Sequence, residues 1–354
     1  MSVRIGLAGY GVIGRIHAAA IGRSAQAELA AVADIKEDVR SAAVSDLQVP
    51  VYASISDMLE HADIDAVTLA FPAEKRADAA CEVLSAGKHV LIEKPIAMNA
   101  EAADRIIAAK PSSSVAACAS MRFCLLPSSR AAQAYIASGK LGAIRSLSAR
   151  TFTAAPATPS SVPPTWRLRR TENGGGIMMN LGCYDLNYLF GLAGWNIRAE
   201  EVLARSWQIA PAIAAYPAPG SDAETHLCGS IACSNGIICH IERGEYMACA
   251  SASAISIIGD KGTLSLSMFP GEKTIYADTI TPRGVERKVI WSGTETWDDV
   301  HRLLIEEFAS SILERRSPET SIHQAREIQR MTDALYASSL SGSAASIASQ
   351  GARS

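Results

Sequence analysis

The sequence predicts an α/β protein in two parts: a parallel-sheet domain over residues 1–120 and an α+β domain with a large, mostly antiparallel open sheet over residues 121–354. Three observations carry that reading. In the first third, short β-branched runs alternate with alanine-rich helical patterns, as βαβ units require. From 202 to 290 the chain reads as successive strands punctuated by Gly220, Asn235-Gly236, Asp260-Lys261-Gly262, Gly271 and Gly284, the pattern of antiparallel connections. A chain of 354 residues also exceeds what one core usually supports.

In order, strands are expected over 3–8, 29–33, 66–70, 89–92 and 115–119, with helices over 13–22, 36–46, 73–86 and 100–109 between them. Alanine favours the helices, and Gly87 stands at a natural C′ position after the third of them. A helix over 129–138 and a strand over 144–152 open the second domain. Residues 154–164 are too rich in Pro, Ala and Ser for either element. Helices over 298–314 and 322–339 finish this domain, and the Ser/Ala/Gly tail from Ser341 is expected to fray.

Composition narrows the partners. Lys plus Arg number 33 against 36 Asp plus Glu, and no basic run offers a footprint for nucleic acid. No stretch reaches the ~18 apolar residues of a membrane helix. Arg4, Arg15 and the intervening glycines break the apolar N-terminus in a way a secretory leader is not broken, so a cytoplasmic location is expected. None of the eight cysteines is in a C-x-x-C spacing, which points to reduced, buried thiols rather than a metal site.

Gly9-Tyr10-Gly11-Val12-Ile13-Gly14 stands between the first strand and the first helix, where a dinucleotide fingerprint belongs. Gly9 permits the tight turn, Gly11 lets backbone approach a pyrophosphate, and Gly14 allows close helix–sheet packing, while the helix N-terminus faces the phosphate charge. Asp34, twenty residues after Gly14, is placed to accept from the adenosine ribose hydroxyls. These features predict a Rossmann domain; the alternative is that the glycines only shape a tight strand–helix turn and Asp34 is an ordinary loop acid. Asp34 would repel a 2′-phosphate, so NAD is the expected cofactor; Lys36 and Arg40 leave NADP open. His17, one turn into the helix, reads as a packing residue.

Glu93-Lys94-Pro95 follows the strand over 89–92, and open α/β sheets bind ligands at the carboxyl ends of their strands. Pro95 biases Lys94 toward an extended conformation. A partly desolvated lysine near a nicotinamide suits a proton shuttle; the alternative is a surface-loop lysine. Together with the glycine pattern, Asp34, Pro72, Ala86-Gly87-Lys88-His89-Val90 and Arg122-Phe123, this segment resembles the Gfo/Idh/MocA family of two-domain NAD(P)-dependent oxidoreductases of sugars and polyols. The resemblance implies a catalytic Lys94 that also touches cofactor and substrate, and adds Phe71, Pro72, Glu93 and Arg122 to the cofactor contacts.

It extends into the second domain through Trp166-Arg167, Gly174-Gly175-Gly176 and Asn180-x-Gly182-x-Tyr184-x-x-Asn187, and on to Gly259-Asp260-Lys261-Gly262 and Ala334-Leu335-Tyr336. Tyr184 matches the tyrosine-bearing, glucose–fructose-oxidoreductase-like branch. Positions 180 and 184 are one helical turn apart, so both can enter one pocket. Two departures stand out. Asn180 replaces the usual aspartate, an amide that orients a hydroxyl but cannot exchange protons as a carboxylate does. Arg76 replaces a frequent histidine and reads as lying on a solvated helix face. Trp166 and Arg167 are candidate substrate contacts, Arg167 suiting an anionic group; otherwise they are a packing tryptophan and a surface arginine.

The expected function is hydride transfer between a nicotinamide and a secondary alcohol or ketone of a sugar, polyol or sugar-derived acid, with Lys94 and Tyr184 relaying the proton and Asn180 orienting the substrate. The alternative is a nucleotide-binding sensor or partner-binding module of the same fold without turnover. A homodimer or homotetramer through the second sheet is expected in either case.

Overall fold

Val3–Ala8 forms β1, buried along nearly its whole length, and a strand covered on both faces belongs inside a parallel sheet. The elements that follow are α1 (Val12–Gly22), β2 (Ala27–Ala33), α2 (Glu37–Asp46), β3 (Val51–Tyr52), α3 (Ile55–His61), β4 (Ala66–Leu69), α4 (Arg76–Ser85), β5 (His89–Ile92), α5 (Ala100–Ala109) and β6 (Ala116–Cys118). The sheet runs β3-β2-β1-β4-β5-β6 with every pair parallel, the doubly wound order whose switch point lies between β1 and β4. Alternation along β2 feeds two cores. Ala31 and Ala33 join Val67, Leu69, Val90 and Ile92 on one face, whereas Val32 joins Leu7, Tyr10 and Ala70 on the other.

The second part begins with α6 (Pro127–Ala137) and β7 (Ile144–Ala154), continues through α7 (Arg170–Asn173) and α8 (Cys183–Leu192), and then lays down β8 (Ala199–Trp207), β9 (His226–Cys233), β10 (Ile238–Met247), β11 (Ala252–Gly259), β12 (Gly262–Leu266), β13 (Gly271–Thr281) and β14 (Gly284–Glu295). The chain closes with α9 (Trp297–Leu313), α10 (Ile322–Ser341) and the short β15 (Ala345–Ser346). The nine-stranded sheet is ordered β14-β13-β12-β11-β7-β10-β9-β8-β15, antiparallel except where β10 runs parallel to β7. Its strands alternate buried and open residues: Cys239, Ile241, Arg243 and Glu245 of β10 point inward, while Ile238 and His240 point out. All ten residues of α8 are buried.

This computed structural model describes residues 2–156, 164–208 and 210–347. The chain divides into two units, Met1–Arg122 with Trp297–Arg326 and Phe123–Thr296 with Glu327–Ser354. The sequence assigned both C-terminal helices to the second domain, but α9 belongs to the first unit, where it packs on α1. In the first unit two small elements escaped the sequence reading, β3 and α3; Ser54, whose hydroxyl accepts the Asp57 amide at 3.0 Å, was the legible start signal for the latter. The expected fray from Ser341 is corrected for the start of the tail, because Ala345 and Ser346 pair with Val202 and Glu201 of β8; residues 348–354 lie outside the described residues. Most of the irregular stretch over 154–164 lies outside the described residues.

Candidate functional site

At the end of β1 the backbone turns at Gly9, with φ +91°, and a Cβ there would press within 2.7 Å of the Ala70 carbonyl oxygen. A Cβ on Gly14 would overlap the Gly9 carbonyl. The chain's own packing therefore demands both glycines. Gly11 is different: a Cβ there would meet nothing within 4 Å, and its φ of −73° suits any residue. The space it leaves lies at the N-terminus of α1, where no side chain caps the first amides, and such a terminus accepts a phosphate. Val12 beside it is 83% exposed, unusual for a large apolar residue. These residues fit a dinucleotide.

Asp34 braces this loop. One carboxylate oxygen accepts the Tyr10 amide and the other the Lys36 amide, both at 2.9 Å, and each oxygen keeps a lone pair for a ribose hydroxyl. Arg40, a possible partner for a 2′-phosphate, donates to the Asp34 carbonyl at 3.0 Å and pairs with Glu37. The Tyr10 ring is buried beneath Arg15, and its hydroxyl donates to Asp46, so Tyr10 contributes to the loop through its backbone. Ile13 is half-buried and packs on the adjoining core.

The carboxyl end of β5 carries a buried charge cluster. Glu93, 2% exposed, accepts His17 Nε2–H at 2.8 Å, an Arg122 guanidinium hydrogen bond and the Lys94 amide at 2.9 Å. Arg122 also donates to the Ala119 carbonyl at 2.9 Å and to His301 Nδ1 at 3.1 Å. Burial alone would push the Glu93 carboxyl up, but Arg122 and the His17 hydrogen bond more than reverse this and hold it well below the usual carboxylate range. Burial beside Arg122 and His17 pushes His301 down to about 3, which keeps its Nδ1 an acceptor. Lys94 itself is half-buried, and the Lys94–Pro95 peptide is cis.

One expectation is sharpened here and one changes. His17 is fully buried, as a structural residue is, and is also a hydrogen-bonding member of the cluster; its Nδ1 has no partner among the described residues. Arg76 is not solvated: it is 5% exposed and donates to the carbonyls of Phe71, Glu93 and Pro95. Phe71 and Pro72 thus leave β4 in a turn tied to the Glu93–Pro95 corner. Glu93 and Arg122, expected as cofactor contacts, pair with one another inside the buried cluster with His17 and His301.

In the second unit, Asn180 lies in a π-helical turn, Met178–Gly182, that leads into α8 and Tyr184; such turns recur at functional sites. Both residues are less than a tenth exposed. The Tyr184 ring packs edge-on against Phe123 with centroids 5.0 Å apart. Asp185, next to it, accepts two hydrogen bonds from the buried Arg243 at 3.0 and 3.2 Å; burial still raises its pKa. The glycine triplet is explained by Glu224, which accepts the amides of Gly176 and Met178, and by Tyr336, whose hydroxyl donates to Glu224 at 2.7 Å. A Cβ on Gly175 would strike the Tyr336 hydroxyl, and one on Gly176 the Glu224 backbone. Trp166 is half-buried. Arg167 is ion-paired with Glu245 and donates to the Tyr246 hydroxyl at 3.3 Å, so its charge is compensated. Acids such as Glu224 and Glu245 carried no sequence signal, since their partners are distant in the chain.

Comparisons with known proteins show what the chain is similar to. The family described as "Oxidoreductase family, NAD-binding Rossmann fold" matches residues 3–119, and "GFO/IDH/MocA C-terminal domain" matches 129–265. The chain is 32% identical over 139 residues to a 1,5-anhydro-D-fructose reductase of Ensifer adhaerens, covering 38% of this chain and 40% of that one. It is 40% identical over 101 residues to an inositol 2-dehydrogenase of Rhizobium meliloti, covering 28% and 30%. The matched stretches therefore span less than half of either relative. A solved levoglucosan dehydrogenase in complex with NADH superposes with a TM-score of 0.86 at 18% identity, over 99% of this chain and 100% of that one, which shows a common fold.

Because space rather than packing surrounds Gly11, Gly11→Ala is expected to keep its urea midpoint close to that of the wild type. NADH affinity, followed by cofactor fluorescence, should fall at least ~10-fold, about the effect of 1.4 kcal/mol. A variant that binds NADH as tightly as the wild type would show that the space serves no ligand.

Proposed function

The chain belongs to the Gfo/Idh/MocA family of oxidoreductases, and from that premise we propose that it is an NAD-dependent dehydrogenase or reductase of a secondary alcohol in a sugar or polyol. The observation that carries the reading is the placement, at the carboxyl edge of one parallel sheet, of an open glycine loop after β1 and a half-buried lysine after β5. Relatives named for inositol and anhydrofructose support the substrate class. A sugar acid draws less support, since Glu245 already compensates Arg167.

When bound, NAD supplies the hydride acceptor, or in the reverse direction the donor. The chain's residues then manage the proton. An amine at Lys94 takes the proton of the substrate hydroxyl as the carbonyl forms, Tyr184 is the second proton-bearing group, and Asn180 offers one acceptor and two donors to orient hydroxyls without carrying charge. Asp34 is assigned to the ribose, and Trp166 and Arg167 to the substrate. The sensor alternative rests on Asn180 alone, and the intact surroundings of Lys94 weigh against it.

The proposal extends to location and assembly. All eight cysteines are free, as suits a reducing cytoplasm, and among the described residues no helix is long and apolar enough to cross a membrane. Leu203, Ile238 and Ile258 stand open on the second sheet, each beside a buried strand neighbour, and Trp207 is half exposed at the end of β8. Such a face suits a second copy of the chain.

Two measurements follow. With a panel of neutral polyols and NAD, Lys94→Ala should lower turnover by the ~10²–10⁴ of a lost acid–base group and leave NAD affinity within a few fold, and Tyr184→Phe should also slow the reaction. Wild-type turnover in Lys94→Ala would contradict the assignment. Light scattering at micromolar concentration should give a dimer or tetramer, and a strictly monomeric mass would count against the sheet-face assembly.

A further inference from the structure

Position 76 is one of the two at which the chain departs from its family's pattern, and the structure gives the departure a use. Arg76 opens α4 yet is 5% exposed. Its Nε donates to the Phe71 carbonyl at 2.8 Å, and Nη2 reaches the same oxygen. Nη1 donates to the Glu93 carbonyl at 2.9 Å and also to that of Pro95. A single guanidinium thus grips the carbonyls of the residues before and after Lys94 and ties them to the turn after β4. The Lys94 amide is held separately, by Glu93 Oε2 at 2.9 Å.

We propose that Arg76 is a positioning residue for Lys94, fixing the backbone on either side of it so that the amine is presented in one place. Burying a guanidinium is costly unless its donors are met, and here the planar fork meets three main-chain carbonyls at once. A lysine is a point charge on a flexible stem and cannot reproduce that fork. Charge-assisted hydrogen bonds of this kind are stronger than neutral ones. They hold the carbonyls of the corner, which the Glu93 carboxylate, itself an acceptor, cannot. Effective proton transfer requires the donor and acceptor to be placed within fractions of an ångström, so a loosened corner acts on turnover rather than on cofactor binding.

This inference rests on the reading of Lys94 as the proton-transfer group, and the test separates the two. Arg76→Met and Arg76→Lys are assayed with the best polyol of the panel and NAD. Alongside, trace acetylation of the folded proteins is followed by mass spectrometry, with Lys75, whose side chain is 74% exposed, as internal reference. Arg76→Met should lose ~10²-fold in kcat with KM and NAD affinity within a few fold, and Arg76→Lys should fall between it and the wild type. Acetylation of Lys94 should trail that of Lys75 in the wild type and rise several-fold in the methionine variant. A folded Arg76→Met with wild-type kcat, or one that loses NAD affinity as much as kcat while Lys94 labelling is unchanged, would overturn the proposal. If Arg76→Met does not fold, Arg76→Lys decides by the same readings: lowered kcat with raised Lys94 labelling supports the proposal, and wild-type values of both defeat it. Should Lys94→Ala keep its turnover, the proton-transfer reading fails instead, and the labelling still reports whether Arg76 holds Lys94.

Discussion

A carboxylate buried to 2% exposure is the constraint on which the first unit's chemistry depends. Glu93 cannot stay ionised there without partners, and the fold brings them from three directions: His17 from α1, Arg122 from the segment after β6, and through Arg122 the imidazole of His301 from α9. Its remaining capacity goes to the amide of Lys94. The placement of α9 in the N-terminal unit follows, since His301 completes the set. Arg76 answers from the other side by holding carbonyls rather than charges. The lysine is thereby set on a corner whose backbone is bonded before, at and after it.

The glycines divide by the same physical test. Gly9, Gly14, Gly175 and Gly176 are required by neighbouring protein atoms, while Gly11 borders open space. Sequence spacing cannot make that division, because a glycine kept for packing and one kept for a ligand look alike in a pattern. The second unit shows the packing use plainly: Glu224 and Tyr336 draw the triplet into contact and also hold the amides of Met178 and Met179, the first residues of the π-helical turn bearing Asn180.

Much of the fold was legible because its signals are local. The apolar run of β1, the alanine-rich helices and the glycine turn at Gly9 specify their own conformations, and alternation along β8 to β10 predicts a sheet with one covered face. The site was legible only in part. Motif and spacing single out Lys94, Tyr184 and Asp34 as candidates, but say nothing of the environments of His17, Arg76 and Arg167. Each of those side chains takes a partner 17 to 78 residues away in the chain, Glu93 for Arg76 and for His17, Glu245 for Arg167. A helical pattern gives such residues no address, and an arginine on an alanine-rich helix looks solvated until the sheet closes over it.

If the buried carboxylate anchors the Lys94 corner, its charge should matter more than its shape. Glu93→Gln keeps the volume and removes the charge, leaving Arg122 buried without its anion. Urea unfolding at neutral pH should show a loss of about 3–5 kcal/mol relative to the wild type, the cost of breaking a buried pair from one side. An unfolding free energy indistinguishable from that of the wild type would mean that Glu93 is not the anchor.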